Sequence, residues 1–147
     1  MDSPRVLIIG GGFAGLAAAK ALKGVEANVA LLDRQNHHVF QPLLYQVATA
    51  SLSPANISAA IGSVLARTAH CQVVLSTVTG IDPERQRVLL DEGSVAYDDL
   101  LLTVGARHDD FATDGWENIA PGLTTTEDAT EIRRRMLLAF ELAEDTP

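Results

Sequence analysis

The clearest indication of the fold is the segment Val6-Leu7-Ile8-Ile9-Gly10-Gly11-Gly12-Phe13-Ala14-Gly15. Its first four residues are apolar and mostly β-branched, which is typical of a parallel strand covered on both faces. Three glycines follow at once, and apolar residues then recur at helical spacing over 13–23. A second apolar run covers 28–33. This order of strand, glycine turn, helix and strand predicts a βαβ unit and an α/β fold.

The glycines match the pattern Gly-x-Gly-x-x-Gly between a strand and a helix, which is the context that dinucleotide binding requires. Gly10 permits the tight turn, Gly12 lets a pyrophosphate approach bare backbone, and Gly15 lets the helix pack close to the strand. Free N–H groups at a helix start attract phosphates. The residues predicted to line the phosphate site are Gly10, Gly11, Gly12, Phe13, Ala14 and Gly15.

Asp33 lies 18 residues beyond Gly15, at the end of the second predicted strand. A carboxylate at this point can accept hydrogen bonds from an adenosine ribose. It would also repel the 2′-phosphate of NADP, which disfavours that cofactor. The neighbouring Arg34 is either a phosphate contact or a solvent-facing side chain, and the sequence leaves both open.

Beyond this unit the pattern predicts mostly loop with one helical turn over 36–54, a helix over 56–67 and a strand over 71–75. An antiparallel meander follows at about 72–97, then a buried strand over 100–104 and a polar loop over 105–124. The last element, over 126–143, is an amphipathic helix whose apolar face contains Ala129, Ile132, Met136, Phe140 and Ala143. A nicotinamide-binding Rossmann domain would continue with alternating strands and helices instead. The meander therefore favours FAD over NAD as the nucleotide, with NAD as the alternative.

Composition narrows the class of protein. The 147 residues fit about one domain, and the formal net charge of −8 with 5% aromatic residues argues against a nucleic-acid partner. The single cysteine, Cys71, excludes an internal disulfide. No apolar run reaches the roughly 18 residues of a membrane span, and no signal-peptide cleavage site follows the first strand. These features predict a cytoplasmic chain.

The sequence resembles the type II NADH dehydrogenases. The resemblance rests on Gly10 to Leu16 and above all on Asp33 to Ala48, which reads Asp-Arg-Gln-Asn-His-His-Val-Phe-Gln-Pro-Leu-Leu-Tyr-Gln-Val-Ala. Weaker likeness over 97–108 and 116–129 extends it to essentially the whole chain. In that family the first dinucleotide fold binds FAD, a second one binds NADH, and electrons pass from the flavin to a membrane quinone.

The resemblance implies that 1–147 is the N-terminal part of a Rossmann-like, FAD-binding, three-layer domain with an inserted antiparallel meander. We expect the domain to be incomplete relative to the family, without its closing FAD segment. No second Gly-x-Gly-x-x-Gly follows residue 105, so we also expect the NADH-binding domain and the C-terminal membrane-associated part to be absent. NADH and quinone would then bind only to a full-length family member, which lies peripherally on the cytoplasmic face of the membrane. We expect the chain alone to be inactive, and the sequence identifies no catalytic residue.

The resemblance also implies further contacts to FAD. Pro42-Leu43-Leu44 would pass near the flavin ring, and Val78 would offer its backbone to the adenine. Gly105 would allow close approach of the cofactor, next to Thr103 and Val104. The family usually has Ala-Thr-Gly at these last three positions, so one hydroxyl contact is missing here.

Other reactive residues favour no separate site. His37 and His38 are adjacent, so their side chains diverge and predict no metal site. Tyr45 and Gln46 either border a flavin or quinone or have no such role, and His108 belongs to the polar loop. Two alternatives remain: an NAD-binding module of another pyridine nucleotide-disulphide-type reductase, or a cofactor-free remnant that self-associates or pairs with a chain supplying the missing half.

Overall fold

The computed structural model describes residues 3–66, 71–106 and 119–144. The chain divides into two compact units, which are described separately. The first comprises Met1–His38 with Ala59–Gly105, and the second comprises Val39–Ser58 with Ala106–Pro147.

The strands and helices of the described ranges follow the chain in order. The strands are β1 Arg5–Ile9, β2 Asn28–Asp33, β3 His37–Val39, β4 Ser58–Ala60, β5 Cys71–Leu75, β6 Val78–Asp82, β7 Arg87–Leu90, β8 Ser94–Ala96 and β9 Asp99–Leu102. The α-helices are α1 Phe13–Ala21, α2 Leu44–Ala48, α3 Pro54–Ile57, α4 Ile61–Val64 and α5 Thr126–Glu144, with a 3₁₀ turn at Gln41–Leu43.

A parallel sheet with the strand order β5-β2-β1-β9 forms the middle of the first unit. In its register Ile9 lies beside Leu32 on one side and beside Leu102 on the other. Alternate residues of β1 enter two different clusters, because successive side chains of a strand point to opposite faces. Both faces of the central strands are covered, which explains why β1 and β2 are almost wholly apolar.

Helices cover one face of this sheet and the antiparallel sheet β6-β7-β8 covers the other. The buried side chains on the helical face are Val6, Ile8, Leu16, Ala19, Ala27, Val29, Leu31, Ile61 and Leu65. Those on the meander face are Leu7, Ile9, Leu32 and Val88, with Val78, Ile81, Leu90 and Val95 packed against them. The predicted three-layer α/β fold with an inserted meander is therefore confirmed.

Two predicted strand boundaries were wrong. The meander does not begin near 72, because β5 pairs in parallel with β2 and belongs to the central sheet. The strand predicted over 100–104 ends at Leu102, and the side chain of Val104 is 72% exposed. Within the described ranges β9 pairs with β1 alone, so it is an edge strand of the sheet, whereas the sequence predicted a buried strand.

The single helix predicted over 56–67 was also wrong. The described part of that range contains α3, the short strand β4 and α4, and β4 pairs with β3. Ala60 has extended backbone angles of φ −60° and ψ 128°, and the N–H of Ile61 donates to the carbonyl of Asn36. Long-range backbone pairing overrides the helical spacing of the apolar residues here, as tertiary context often overrides local propensity. Arg67 lies outside the described residues.

In the second unit, α2, α3 and the first turns of α5 share a small core of Leu44, Val47, Ala48, Ile57 and Ala129. The segment predicted as mostly loop over 36–54 is thus more helical than expected. The predicted helix over 126–143 is confirmed as α5. Its predicted buried face is only half right, since Ile132 packs on the core while Met136 and Phe140 are 42% and 68% exposed.

The predicted polar loop over 105–124 falls largely on 107–118, outside the described residues, and His108 lies there too. None of the helices in the described ranges is both long enough and apolar enough to cross a bilayer. Cys71 packs against the helix-side core, and partial burial raises the pKa of its thiol.

Candidate nucleotide-binding site

The glycine loop lies at the carboxyl end of β1, between the ends of β2 and β9. The strand that follows β1 in the chain, β2, pairs with it on one side, and β9 pairs with it on the other side. In open α/β sheets a crevice forms where the strand order reverses in this way, and ligands bind there. The fold thus brings Gly10–Gly12, Asp33 and Thr103 together at one edge of the sheet.

Gly10 makes the turn out of β1. Its φ of +103° is in the region that favours glycine, and a Cβ there would overlap the carbonyl oxygen of Thr103. Its N–H donates to the carbonyl of Leu32 at 2.8 Å. The backbone of the loop is therefore fixed between its two neighbouring strands, and only glycine fits this position.

Gly15 sets the distance between α1 and β1. A Cβ at Gly15 would overlap the carbonyl oxygen of Gly10. The hydroxyl of Thr103 fills the same corner, 2.8 Å from the carbonyl oxygen of Ile9 and 2.9 Å from that of Gly10, and donates to them. The helix start consequently sits directly against the end of the strand.

Gly12 immediately precedes α1, and its surroundings differ from those of Gly10 and Gly15. A Cβ at Gly12 would meet no atom within 4 Å. No side chain caps this helix start, and its first turn contains no acidic residue. The first N–H groups of a helix have no partner within the helix, and they carry its partial positive charge. The backbone at Gly12 is thus open on a side that suits an anion.

Asp33 completes this arrangement from the end of β2. One oxygen, Oδ2, accepts the N–H of Gly11 at 2.5 Å, and the other, Oδ1, accepts the N–H of Gln35 at 2.7 Å. The carbonyl of Asp33 accepts the N–H of Ser76, which brings the β5–β6 connection beside it. Val78 follows two residues later at the start of β6. The Arg34 side chain is exposed.

The model of the pyridine nucleotide-disulphide oxidoreductase family matches residues 4–139. The chain belongs to this family. The match covers the glycine loop, the central sheet, the meander and most of α5, so family membership extends over nearly all of the chain.

The curated relatives confirm the resemblance to type II NADH dehydrogenases. The chain is 44% identical over 144 residues to the type II NADH:quinone oxidoreductase NdhA of Mycobacterium tuberculosis, and 43% identical to Ndh of the same organism. In both cases 95% of the chain aligns with 31% of the relative. An internal alternative NAD(P)H-ubiquinone oxidoreductase of Arabidopsis thaliana is 30% identical, again over 31% of its length. The chain therefore spans about a third of these relatives.

Solved structures support the fold. The sulfide:quinone oxidoreductase of Aquifex aeolicus superposes with a TM-score of 0.86 over 95% of this chain and 33% of its own. NDH2 of Plasmodium falciparum, solved with NADH, superposes with 0.85 over 97% and 30%. Sequence identity is 22% in both comparisons, so they show a shared fold alone.

The remaining site residues predicted from the sequence fall into two groups. Val104 and Gly105 follow Thr103 at the end of β9, and Gly105 has a φ of +73° with open space where a Cβ would stand. Pro42-Leu43-Leu44 belongs to the second unit. There Leu44 is 2% exposed in that unit's core, whereas Pro42 is exposed. The packing of Leu44 gives it a structural role in its own unit.

Two residues that contact the loop were not identified from the sequence as site residues. A Cβ at Gly11 would overlap Cδ1 of Ile61, and Nδ1 of His38 lies 3.1 Å from the carbonyl oxygen of Gly11. Both contacts depend on the pairing of β3 with β4, which the helical spacing over 56–67 concealed. No motif or periodicity in the sequence pointed to them.

Proposed function

We propose that this chain is the FAD-binding part of a flavin-dependent NADH:quinone oxidoreductase. The reaction is inferred from the relatives, which are NADH:quinone oxidoreductases. The binding site is inferred from the open helix start at Gly12, with Asp33 beside it. FAD consists of an adenosine, a pyrophosphate and a flavin. Its binding site therefore needs a hydrogen-bond acceptor for the ribose, an anion site for the pyrophosphate and space for the flavin ring.

The geometry at Gly12 is the observation that carries the proposal. Among the three motif glycines, Gly10 and Gly15 have no room for a side chain because backbone oxygens of the chain itself occupy it. Gly12 has that room, so the sterics of the fold do not require glycine there. A ligand that approaches the bare backbone explains why glycine stands at this position.

Asp33 suits the adenosine end. Each of its oxygens accepts one backbone N–H, which leaves lone pairs for the hydroxyls of a ribose. The Val78 backbone and the β5–β6 connection border the same end, and we assign the adenine to them. Thr103, Val104 and Gly105 border the other side of the loop, toward the flavin.

When bound, the flavin supplies the electron-transfer chemistry, and the protein supplies position. The residues described here bind and orient. The helix start would hold the pyrophosphate, Asp33 would hold the ribose, and the open side of Gly105 would leave room for the ring. We assign NADH and quinone binding, with association at the cytoplasmic face of a membrane, to a full-length protein of this kind.

The first test is to purify the chain, record its visible spectrum, strip any nucleotide and titrate it with FAD and with NAD. We expect flavin absorbance on purification and saturable binding of FAD with much weaker binding of NAD. Tight NAD binding without flavin would support the alternative of a nicotinamide module. Binding of neither nucleotide would contradict the proposal.

Asp33→Ala tests the ribose contact in the same titration. Hydrogen bonds to a charged group contribute about 1.5–3 kcal/mol, so FAD affinity should fall on the order of tenfold to a hundredfold. Asp82→Ala is the matched control, because it removes one carboxylate from a turn of the meander, where Asp82 pairs with the exposed Arg85. If both variants bind FAD equally well, Asp33 has no part in binding.

A second candidate role is association through α5. Five apolar side chains in its second half are between 42% and 68% exposed: Met136, Leu137, Leu138, Phe140 and Leu142. Clustered exposed apolar residues are typical of interaction surfaces. Sedimentation analysis of the chain over a concentration range tests self-association. A monomer at all concentrations would contradict this role.

A further inference from the structure

His38 lies on β3 and is half-buried against the glycine loop. Its Nδ1 is 3.1 Å from the carbonyl oxygen of Gly11. A carbonyl only accepts hydrogen bonds, so Nδ1 must carry the proton in this contact. In the neutral ring Nε2 is then the unprotonated nitrogen. The contact therefore predicts the tautomer of His38.

The same ring also contacts the first residue of α1. The rings of His38 and Phe13 meet edge to face, with 4.9 Å between centroids and 90° between planes. Aromatic pairs favour this arrangement. One side chain therefore touches the residue on each side of Gly12.

Hydrogen bonds from two different strands fix the peptide groups on either side of the Gly11 Cα. Asp33 accepts its N–H from the end of β2, and His38 donates to its carbonyl from β3. The peptide between Gly11 and Gly12 is planar and trans, so its C=O and N–H point in opposite directions. Holding the carbonyl toward His38 directs the Gly12 N–H away from His38 and keeps the carbonyl from turning toward a bound anion.

We propose that His38 is a positioning residue of the dinucleotide site, which orients the Gly11–Gly12 peptide for the pyrophosphate. This inference rests on the proposed function, since it assumes that the loop binds a dinucleotide. The reason for the effect is preorganisation: a loop already held in its binding geometry loses less entropy when the ligand binds. The imidazole acts through the loop and touches no phosphate itself.

Three variants separate the roles of the His38 ring. His38→Phe keeps an aromatic ring against Phe13 and loses the donor. His38→Asn loses the ring and keeps a donor near the position of Nδ1. His37→Phe is the matched control, because Nδ1 of His37 contacts Oδ1 of the neighbouring Asn36, at 3.4 Å, and not the glycine loop. Each variant is titrated with FAD and with ADP, and its thermal unfolding is recorded.

We expect His38→Phe to weaken FAD and ADP binding about tenfold, as for loss of one hydrogen bond. His38→Asn should stay within a fewfold of the unsubstituted chain, His37→Phe should be unchanged, and all three should unfold at similar temperatures. Equal binding by His38→Phe and the unsubstituted chain would overturn the proposal. So would loss of binding in His38→Asn equal to that in His38→Phe, since the donor would then be irrelevant.

Imidazole nitrogen NMR of the unliganded chain gives a readout independent of any variant. In mildly alkaline solution the His38 ring should show a protonated Nδ1 and an unprotonated Nε2. The opposite tautomer would overturn the proposal whatever the variants do. If the unsubstituted chain binds neither FAD nor ADP, both the proposed function and the role of His38 are contradicted. If it binds and His38→Phe binds equally, only the role of His38 fails.

Discussion

The two longest helices of the described ranges, α1 and α5, begin in opposite ways. α1 begins after Gly12 with no side-chain cap and no acidic residue in its first turn. α5 begins after Thr125 with Glu127 and Asp128 in its first turn. Asp128 Oδ2 accepts the N–H groups of Thr124 and Thr125 at 3.0 and 2.9 Å, and the Thr125 hydroxyl accepts the Asp128 N–H at 3.1 Å.

This difference separates a structural helix start from one available to a ligand. At α5 the chain's own carboxylate and hydroxyl satisfy the free N–H groups, as in a capping box. Near α1 the carboxylate of Asp33 accepts the N–H of Gly11, which precedes the helix. Because no side chain caps α1 and its first turn has no acidic residue, we expect an external anion to bind at this helix start and not at the start of α5.

The largest expected effect is on stability, at Gly15. Gly15→Ala should destabilise the fold by about 1–3 kcal/mol or more, because the new Cβ overlaps the carbonyl oxygen of Gly10 and forces α1 away from β1. Urea unfolding followed by circular dichroism measures this. A variant as stable as the unsubstituted chain would mean that α1 does not need its close approach to the strand.

Asp128→Ala should remove the cap of α5 and cost on the order of 1 kcal/mol of unfolding free energy. Partial burial acts to raise the pKa of Asp128, but the N–H groups of Thr124 and Thr125 outweigh it and hold the pKa below its usual range. Asp128 therefore stabilises the fold above the ordinary carboxyl pKa near 4, and this contribution is lost as the pH falls toward the lower folded pKa.

The check is urea unfolding of the unsubstituted chain and of Asp128→Ala, from neutral pH down to about pH 3, below the ordinary carboxyl pKa. The difference in their free energies of unfolding should be largest at neutral pH and should narrow below about pH 4. Asp128→Asn is the control, because its side-chain oxygen still accepts hydrogen bonds without a charge. A difference that does not change with pH would contradict a role for the Asp128 charge.

The smallest effect is expected at Glu131, further along α5. Its carboxylate pairs with Arg134 at 2.7 Å and Arg135 at 2.8 Å, and hydrogen bonds from these side chains lower its pKa to about 2. The pairs are exposed, so water screens them. Glu131→Gln should lower the unfolding temperature less than Asp128→Ala does at neutral pH. A larger loss would mean that ion pairs outweigh the cap in stabilising α5.

The sequence predicted the glycine loop and the central strands correctly because their signals are local. A short β-branched run, three glycines and a following helical period depend on no distant contact. The sequence did not predict the break at Ala60 or the contacts of His38 and Ile61, because they arise from pairing between β3 and β4. The exposed Val104 and Phe140 differ from expectation for a related reason: apolar residues on one face predict a buried face only where another element covers it.

Two glycines that both have room for a methyl group allow a direct test of nucleotide binding at the start of α1. Gly12 precedes α1 with a φ of −73°, and Gly62 lies in α4, with no atom within 4 Å of a Cβ at either position. Gly12→Ala and Gly62→Ala should both fold, with changes in stability of no more than about 1 kcal/mol. Each is titrated calorimetrically with FAD beside the unsubstituted chain.

We expect Gly12→Ala to weaken FAD binding at least tenfold and Gly62→Ala to leave it unchanged, because the new methyl group at Gly12 occupies the side where the pyrophosphate approaches. If Gly12→Ala binds FAD as tightly as Gly62→Ala does, no ligand approaches the backbone at the start of α1. The open helix start would then have no role in nucleotide binding.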